Sequence, residues 1–425
     1  MTPVPPTATP PPTTTPTNVQ TAGPPTPANS TPTIPPGVIT LPPATATHIS
    51  QPSPTPPPVG PVFGLAWFHK PPTEAISYGD TTVDEVATEH RYMHLTGPSD
   101  ILFRKKLRGA GYKGPIYTYI LANTVEGPGP YKDASEDCAP GYKPYDNNMA
   151  WETDDFCLYI HPNESWFLHN GKGERLFNDY FGNGRLGYLM DPANTGWQEF
   201  SYSRLEQVRD EWGYDGLWLD NLDLDLDRPA ASEDNSDGRV QEYETDAAWR
   251  EGVKGWLAGL RARLGNWPVW ANLVAKDLDA DSWDPYLPYL DGAMDESFAV
   301  RWVDDRRKAE EWASQIERAE RWLAAGKGLV LVGQGPKDEE SRMRFTLASY
   351  MLVARGDNSF FRYSRFDSFY FQLWLYSEYD TARALGAPTG PREEISPGVW
   401  RREFEYGYVE VDLAEQTGRL ALDGP

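Results

Sequence analysis

The sequence predicts a closed (β/α)8 barrel behind a disordered N-terminal segment, with a small antiparallel β appendage at the C-terminal end. Three observations carry this. Short apolar runs alternate with amphipathic stretches at least eight times, no glycine-rich phosphate turn follows the first run, and two of the runs share one pattern. Asp215-Gly-Leu-Trp-Leu-Asp220 and Asp291-Gly-Ala-Met-Asp-Glu296 each open on Asp-Gly and carry a carboxylate five positions later. Parallel strands of one closed sheet end on the same rim, so these two acids would face each other across it.

From the N-terminus, the first sixty residues hold half of the prolines, many threonines and no Lys, Arg, Asp or Glu. Such a stretch lacks the apolar surface needed to offset chain entropy, so residues 1–60 are expected to be a disordered Pro/Thr-rich linker, partly polyproline II. O-glycosylated stalks share this composition, but a plain spacer requires no modification. Met1 leads straight into the tract without a visible secretory signal, so a secreted or cell-surface location is inferred from the spacer.

The net charge of −23 falls wholly on the remainder, which argues against nucleic acid and anionic membrane surfaces as partners and leaves a neutral substrate unrepelled. No run of about 18 apolar residues is present to span a membrane. Cys138 and Cys157 lie around a stretch crowded with Gly, Pro, Asp and Asn, and are expected to staple a loop as a disulfide; two free buried thiols are the alternative. A monomer tethered through its linker is expected, with no cofactor and no metal.

The predicted barrel, residues 61–395, has strands at 63–68, 92–95, 115–121, 214–220, 268–273, 292–296, 328–332 and 359–363. A ninth run, 186–190, is surplus and leads toward a helix whose entry signal is Asp191-Pro-Ala-Asn194. Helices are expected at 197–211, 246–264, 304–325 and 339–354, the third with Trp312, Ile316, Ala319 and Leu323 at helical spacing. An open doubly wound sheet would call for a Gly-rich first turn, whereas Phe68 is followed by His-Lys-Pro-Pro. Past Pro391 the alternating runs 399–404, 408–412 and 419–422 predict an appendage over 396–425 that packs against the barrel.

Strand alternation places Gly216, Trp218 and Asp220 on one face and Leu217 and Leu219 on the other. The same count from the second Asp-Gly pair lands on Glu296 and puts Asp295 on the opposite face. Asp220 and Glu296 are therefore the candidate catalytic pair, an arrangement suited to glycoside cleavage. Candidate sugar contacts are Asn221 and Asn272 at strand ends, the aromatics Trp67 and Tyr119, and Asp191 and Gln334. The acidic run Asp223-Leu-Asp-Leu-Asp227 reads as a solvated loop because it lacks the spacing of a calcium loop. His90 and His94 lack a third zinc ligand and read as stacked or surface residues.

At these residues the chain resembles a family. Gly213-Tyr-Asp-Gly-Leu-Trp-Leu-Asp-Asn221 is similar to the corresponding strand of glycoside-hydrolase-like barrels. Pro268-Val-Trp-Ala-Asn272, Asp291-Gly-Ala-Met-Asp-Glu-Ser-Phe298, Leu385-Gly-Ala-Pro-Thr-Gly390 and Trp400-Arg-Arg-Glu-Phe-Glu-Tyr-Gly407 follow in the order of the hypothetical glycosyl hydrolases, relatives of the α-1,4-polygalactosaminidases. The resemblance implies a TIM barrel, a polysaccharide substrate and an acidic pair at Asp220 and Glu296, with either acid as proton donor. It departs at Tyr406 and Asp412 in the appendage. A carbohydrate-binding or scaffold barrel without catalysis is the alternative.

Overall fold

The computed structural model describes residues 63–68, 82–96, 100–130, 138, 140–145, 147–179, 185–232, 235–275, 279–300, 307–365 and 372–423. The expected linker at 1–60 lies outside the described residues.

Among these residues, eight parallel strands close a barrel. In chain order, β1 (Leu65–Phe68), β2 (His90–Thr96) and β3 (Ile116–Leu121) precede three strands that stand outside it, β4 (Thr124–Pro130), β5 (Phe177–Asp179) and β6 (Arg185–Leu189). The barrel resumes with β7 (Gly216–Asp223), β8 (Val269–Val274), β9 (Gly292–Asp295), β10 (Gly328–Gln334) and β11 (Ser359–Ser364), and β11 pairs with β1 to close it. All eight expected strands are present. The surplus run is β6, which pairs antiparallel with β4 and β5 in an insertion between β3 and β7. Cys138 and Cys157 form a disulfide within that insertion.

Helices α1 (Val83–Glu89), α2 (Ile101–Gly109), α3 (Thr195–Gln207), α4 (Asp227–Ala230), α5 (Asp246–Leu264), α6 (Ala309–Ala324), α7 (Glu340–Val353) and α8 (Ser377–Ala384) accompany the strands. Their starts follow local capping chemistry. Thr82 and Glu85 form a reciprocal capping box at α1, and the Asn194 side chain accepts from the backbone N–H of Gly196 and Trp197 at α3. The Asp191–Asn194 entry signal thus opens the helix it was expected to open.

Strand alternation divides the core in two. Ala66, Phe68, Tyr92, Trp218, Trp270 and Phe360 belong to the cluster that fills the barrel, whereas Leu65, Trp67, Leu217, Leu219, Ala271 and Phe361 pack in the outer cluster. Large aromatics fill the barrel because glycines on adjacent strands leave room. A Cβ at Gly216 would come within 2.4 Å of the Tyr117 ring, and one at Gly292 within 2.1 Å of the Trp270 ring.

The aspartates before these two glycines also match. Asp215 Oδ2 accepts from Ile116 N at 2.8 Å and from Arg108 Nη2 at 2.6 Å; Asp291 Oδ2 accepts from Val269 N at 2.8 Å and from Arg261 Nη2 at 2.6 Å. Each Asp therefore ties the start of its strand to the start of the strand before it. The repeated Asp-Gly is a device of the barrel's base, five residues below the acids at the rim.

The C-terminal sheet is antiparallel, in the order β12 (Glu393–Ser396), β13 (Val399–Phe404), β14 (Gly407–Asp412), β15 (Thr417–Leu422). Three of these strands match the alternating runs, and β12 escapes the pattern because all four of its residues are exposed. Arg402 binds this sheet to the barrel layer. Its guanidinium donates to Met351 O at 3.1 Å and Ala354 O at 2.8 Å, in and just after the last turn of α7. A cation suits the exposed carbonyls of a helix C-terminus, although burial pushes the guanidinium down to about 10.

Candidate active site

The site forms where β7, β8 and β9 end. Trp218 and Asp220 follow the inward register of β7, and the pairing with β8 then shifts at a bulge between Leu219 and Leu222. Asn221 sits in this bulge with φ 54°, a left-handed conformation that asparagine tolerates better than most side chains. Bulges re-aim side chains at rims, and here the residue just before the left-handed one is Asp220.

Asp220 Oδ2 accepts from the Tyr119 hydroxyl at 2.5 Å, and its Oδ1 accepts from Asn272 Nδ2 at 3.0 Å. The same Asn272 nitrogen donates to Glu296 Oε2 at 2.8 Å. Asn272 is buried while both acids are partly exposed, so a buried amide holds two carboxyl groups that open toward solvent. Gln334 Nε2 donates to Glu296 O at 2.8 Å and steadies the backbone of the second acid. Below them, His94 is stacked on Phe68 with centroids 4.3 Å apart and on Trp218 at 4.6 Å. His90 is buried separately, its Nδ1 donating to Val86 O at 2.9 Å.

Asp295 points the other way. Its carboxylate accepts from Arg318 Nη2 at 2.7 Å, Gln315 Nε2 at 2.9 Å and Ser297 N at 3.1 Å, so it is a buried ion-pair partner of α6. The face count along β9 separates the two neighbouring acids as the alternation required.

The structure brings together Tyr119, Asp220, Asn221, Asn272, Glu296 and Gln334, but not Trp67 or Asp191. Trp67 is fully buried in the outer cluster, edge-on to His90, because β1 turns Ala66 and Phe68 inward instead. Tyr119 is in the site through its hydroxyl, which donates to Asp220. Asp191 accepts from the Tyr243 hydroxyl and from Ala193 N, and desolvation raises its carboxyl above the usual range. It belongs to a clasp in which His169 Nδ1 meets Glu242 Oε1 at 2.6 Å and Nε2 meets Glu164 Oε1 at 3.0 Å.

Asp223 and Arg228 lie beside the site, and sequence reasoning assigned neither to it. Asp223 and Asp225 are buried, which corrects the reading of Asp223–Asp227 as a solvated loop. The signal lay in the alternation of leucine and aspartate, which extends β7 beyond Asp220 to Asp223. Burial pushes the Asp223 carboxyl up to about 6, opposed by Arg228. Arg228 Nη1 donates to Asp223 Oδ1 at 3.1 Å and to Asn221 Oδ1 at 2.9 Å. Among the described residues no cluster of three or more His, Cys, Asp or Glu is placed to hold a metal ion.

The sequence pattern of hypothetical glycosyl hydrolase family 15 matches residues 131–408, well over half of the chain. The chain belongs to hypothetical glycosyl hydrolase family 15. This family 15 barrel is thereby a glycoside hydrolase by descent, and its matched segment includes Asp220, Asn272, Glu296 and Gln334. Among solved structures it is similar to the glycoside hydrolase domain of PelA from Pseudomonas aeruginosa, at 15% identity over 74% of this chain and 98% of that one, with a TM-score of 0.42. It is also similar to the alpha-galactosidase TtGalA from Thermus thermophilus, at 15% identity over 85% and 68% of the two chains, TM-score 0.45. A third likeness is to the maltogenic alpha-amylase AmyB from Thermotoga neapolitana, at 9% identity over 81% and 84%, TM-score 0.45. No curated protein matches the family 15 chain.

Proposed function

We propose that this family 15 member cleaves a polysaccharide or oligosaccharide with retention of anomeric configuration, Asp220 acting as nucleophile and Glu296 as acid and then base. The shared Asn272 nitrogen carries the reading. Two acceptors at 3.0 and 2.8 Å from one nitrogen can be no more than about 6 Å apart, which favours the roughly 5–5.5 Å of retaining enzymes over the roughly 6.5–9.5 Å of inverting ones. Asp220 accepts from two neutral donors, an environment suited to a carboxylate that must accept and attack. Glu296, partly open to solvent at the rim, is then the group that gives its proton to the leaving oxygen and withdraws it from water in the second step.

The reading extends to the rest of the chain. Residues 61–395 serve as the catalytic barrel with 396–425 as its appendage, and residues 1–60 hold the enzyme, as a monomer, away from whatever anchors it outside the cell. The disulfide supports an oxidising, extracellular setting.

A panel of oligosaccharides scored for reducing-end release supplies the test, with product anomers followed by proton NMR. Retained configuration is expected, with a loss of about 10³-fold or more in kcat for Asp220→Asn and for Glu296→Gln. Full activity in both variants would overturn the assignment. Glycan binding without product release, indifferent to both substitutions, would favour a non-catalytic binding barrel.

A further inference from the structure

We propose that Arg228 reads an acidic substituent, a carboxylate or a sulfate, on a sugar bound beside the scissile bond. This deepens the reading of Asp220 and Glu296 as the cleaving pair and rests on it.

Arg228 stands on α4, five residues after the end of the strand that presents Asp220. Its Nη1 donates to Asn221 Oδ1 at 2.9 Å and to Asp223 Oδ1 at 3.1 Å, so one corner of the guanidinium is pinned to the bulge that follows Asp220 and to the strand end after it. The side chain is nonetheless 47% exposed. Among the described residues, Nε and Nη2 donate to nothing. A planar guanidinium anchored at one corner, with its other edge open, offers two parallel N–H groups, the geometry that takes a carboxylate or sulfate in bidentate fashion. Its bond to Asn221, the residue next to Asp220, sets the guanidinium beside the acids, and its charge interacts with both Asp220 and Glu296. The large negative charge elsewhere on the chain is screened beyond about 8 Å at physiological salt, so the local cation governs recognition of a small anion.

Asp223 is the internal competitor for Arg228. It is buried, faces Arg228 together with Asp225 and Asp220, and desolvation pushes its carboxyl up to about 6. As pH falls through that value Asp223 takes a proton and ceases to offset the guanidinium. A sugar carboxylate, with a pKa near the roughly 3.5 of an α-carboxyl group, stays ionised over the same range and gains the freed charge. Acid recognition should therefore strengthen on mild acidification, whereas a surface lysine, charged throughout this range, would give no change.

The test is calorimetric binding at pH 5 and pH 7.5 of three probe sets: galacturonate and glucuronate oligosaccharides, sulfated galactan oligosaccharides, and neutral galactose and glucose oligosaccharides. One acidic set is expected to bind at least ten times tighter than its neutral counterpart, more so at pH 5, and which set does so distinguishes carboxylate from sulfate. Arg228→Gln should abolish the preference and Arg228→Lys retain part of it. Asp223→Asn, which removes the competitor without touching the cation, should give at pH 7.5 the preference the parent shows at pH 5. The proposal is overturned by equal binding of neutral and acidic probes, by no binding of either acidic set, or by a preference that survives Arg228→Gln. Hydrolysis of the same probes by the parent and by Asp220→Asn is read separately, so Arg228-dependent binding without Asp220-dependent cleavage would sink the cleavage reading alone.

Discussion

Asp220 and Glu296 draw on one nitrogen, Asn272 Nδ2, which donates to the first at 3.0 Å and to the second at 2.8 Å. A single buried amide thus sets both the spacing of the acids and their orientation toward the open side of the barrel. Neither acid controls this geometry by itself.

Replacing Asn272 should therefore act on both steps of cleavage. Asn272→Ala is expected to lower kcat by about 10²-fold or more, as loss of a preorganised donor does, with a smaller change in KM. Asn272→Asp, which turns the shared donor into a third acceptor, should be worse. Steady-state kinetics on a glycan cleaved by the parent measures both.

Tyr119→Phe removes the hydroxyl at 2.5 Å from Asp220 and little volume. A hydrogen bond to a charged group contributes roughly 1.5–3 kcal/mol, so kcat should fall by about 10- to 100-fold. An unchanged kcat would show that this bond orients nothing the reaction uses.

Asp295 and Arg318 form the buried ion pair behind the site, with side chains 7% and 1% exposed. Arg318→Met would strand a buried carboxylate and is expected to cost about 3–5 kcal/mol of stability. Denaturant titration gives that loss, while kcat per folded molecule should stay near the parent's. A catalytic defect larger than the unfolded fraction would contradict the outward role of Asp295.

Stability should fall with rising pH in two windows. The Asp223 carboxyl is raised to about 6 in the folded chain against 3.8 unfolded, so its contribution is present below about 4 and lost as pH climbs to 6. His169 is raised above 6.5, first by its hydrogen bond to Glu242, so its contribution is full below 6.5 and lost as pH rises through the folded value. Thermal unfolding from pH 4 to 9 should show both declines. Asp223→Asn should flatten the first alone, and His169→Gln the second alone.

Much of the barrel is legible because period-two alternation and helix entry signals are local. The count from Asp215 and Asp291 separates Glu296 from Asp295, and the ion pair with Arg318 gives that separation its physical content. Trp67 falls on the outer face, because proximity to a strand end says nothing about face and β1 turns Phe68 inward instead. Arg228 had no motif, since an arginine after an acidic strand end is common and its partners, Asn221 and Asp223, become neighbours only through the bulge.

The sequence by itself determined the eight strands, the surplus run and the acids at the rim, because each depends on residues close in the chain or on alternation along one strand. Tertiary structure decided the rest. That Asn272, 52 residues from Asp220 and 24 from Glu296, bridges the pair follows from parallel strands packing side by side, a relation that no local pattern encodes. The meaning of the repeated Asp-Gly also emerged only there: each aspartate ties its strand's start to its neighbour's, each glycine makes room for an aromatic ring, and the shared register carries both acids to one rim.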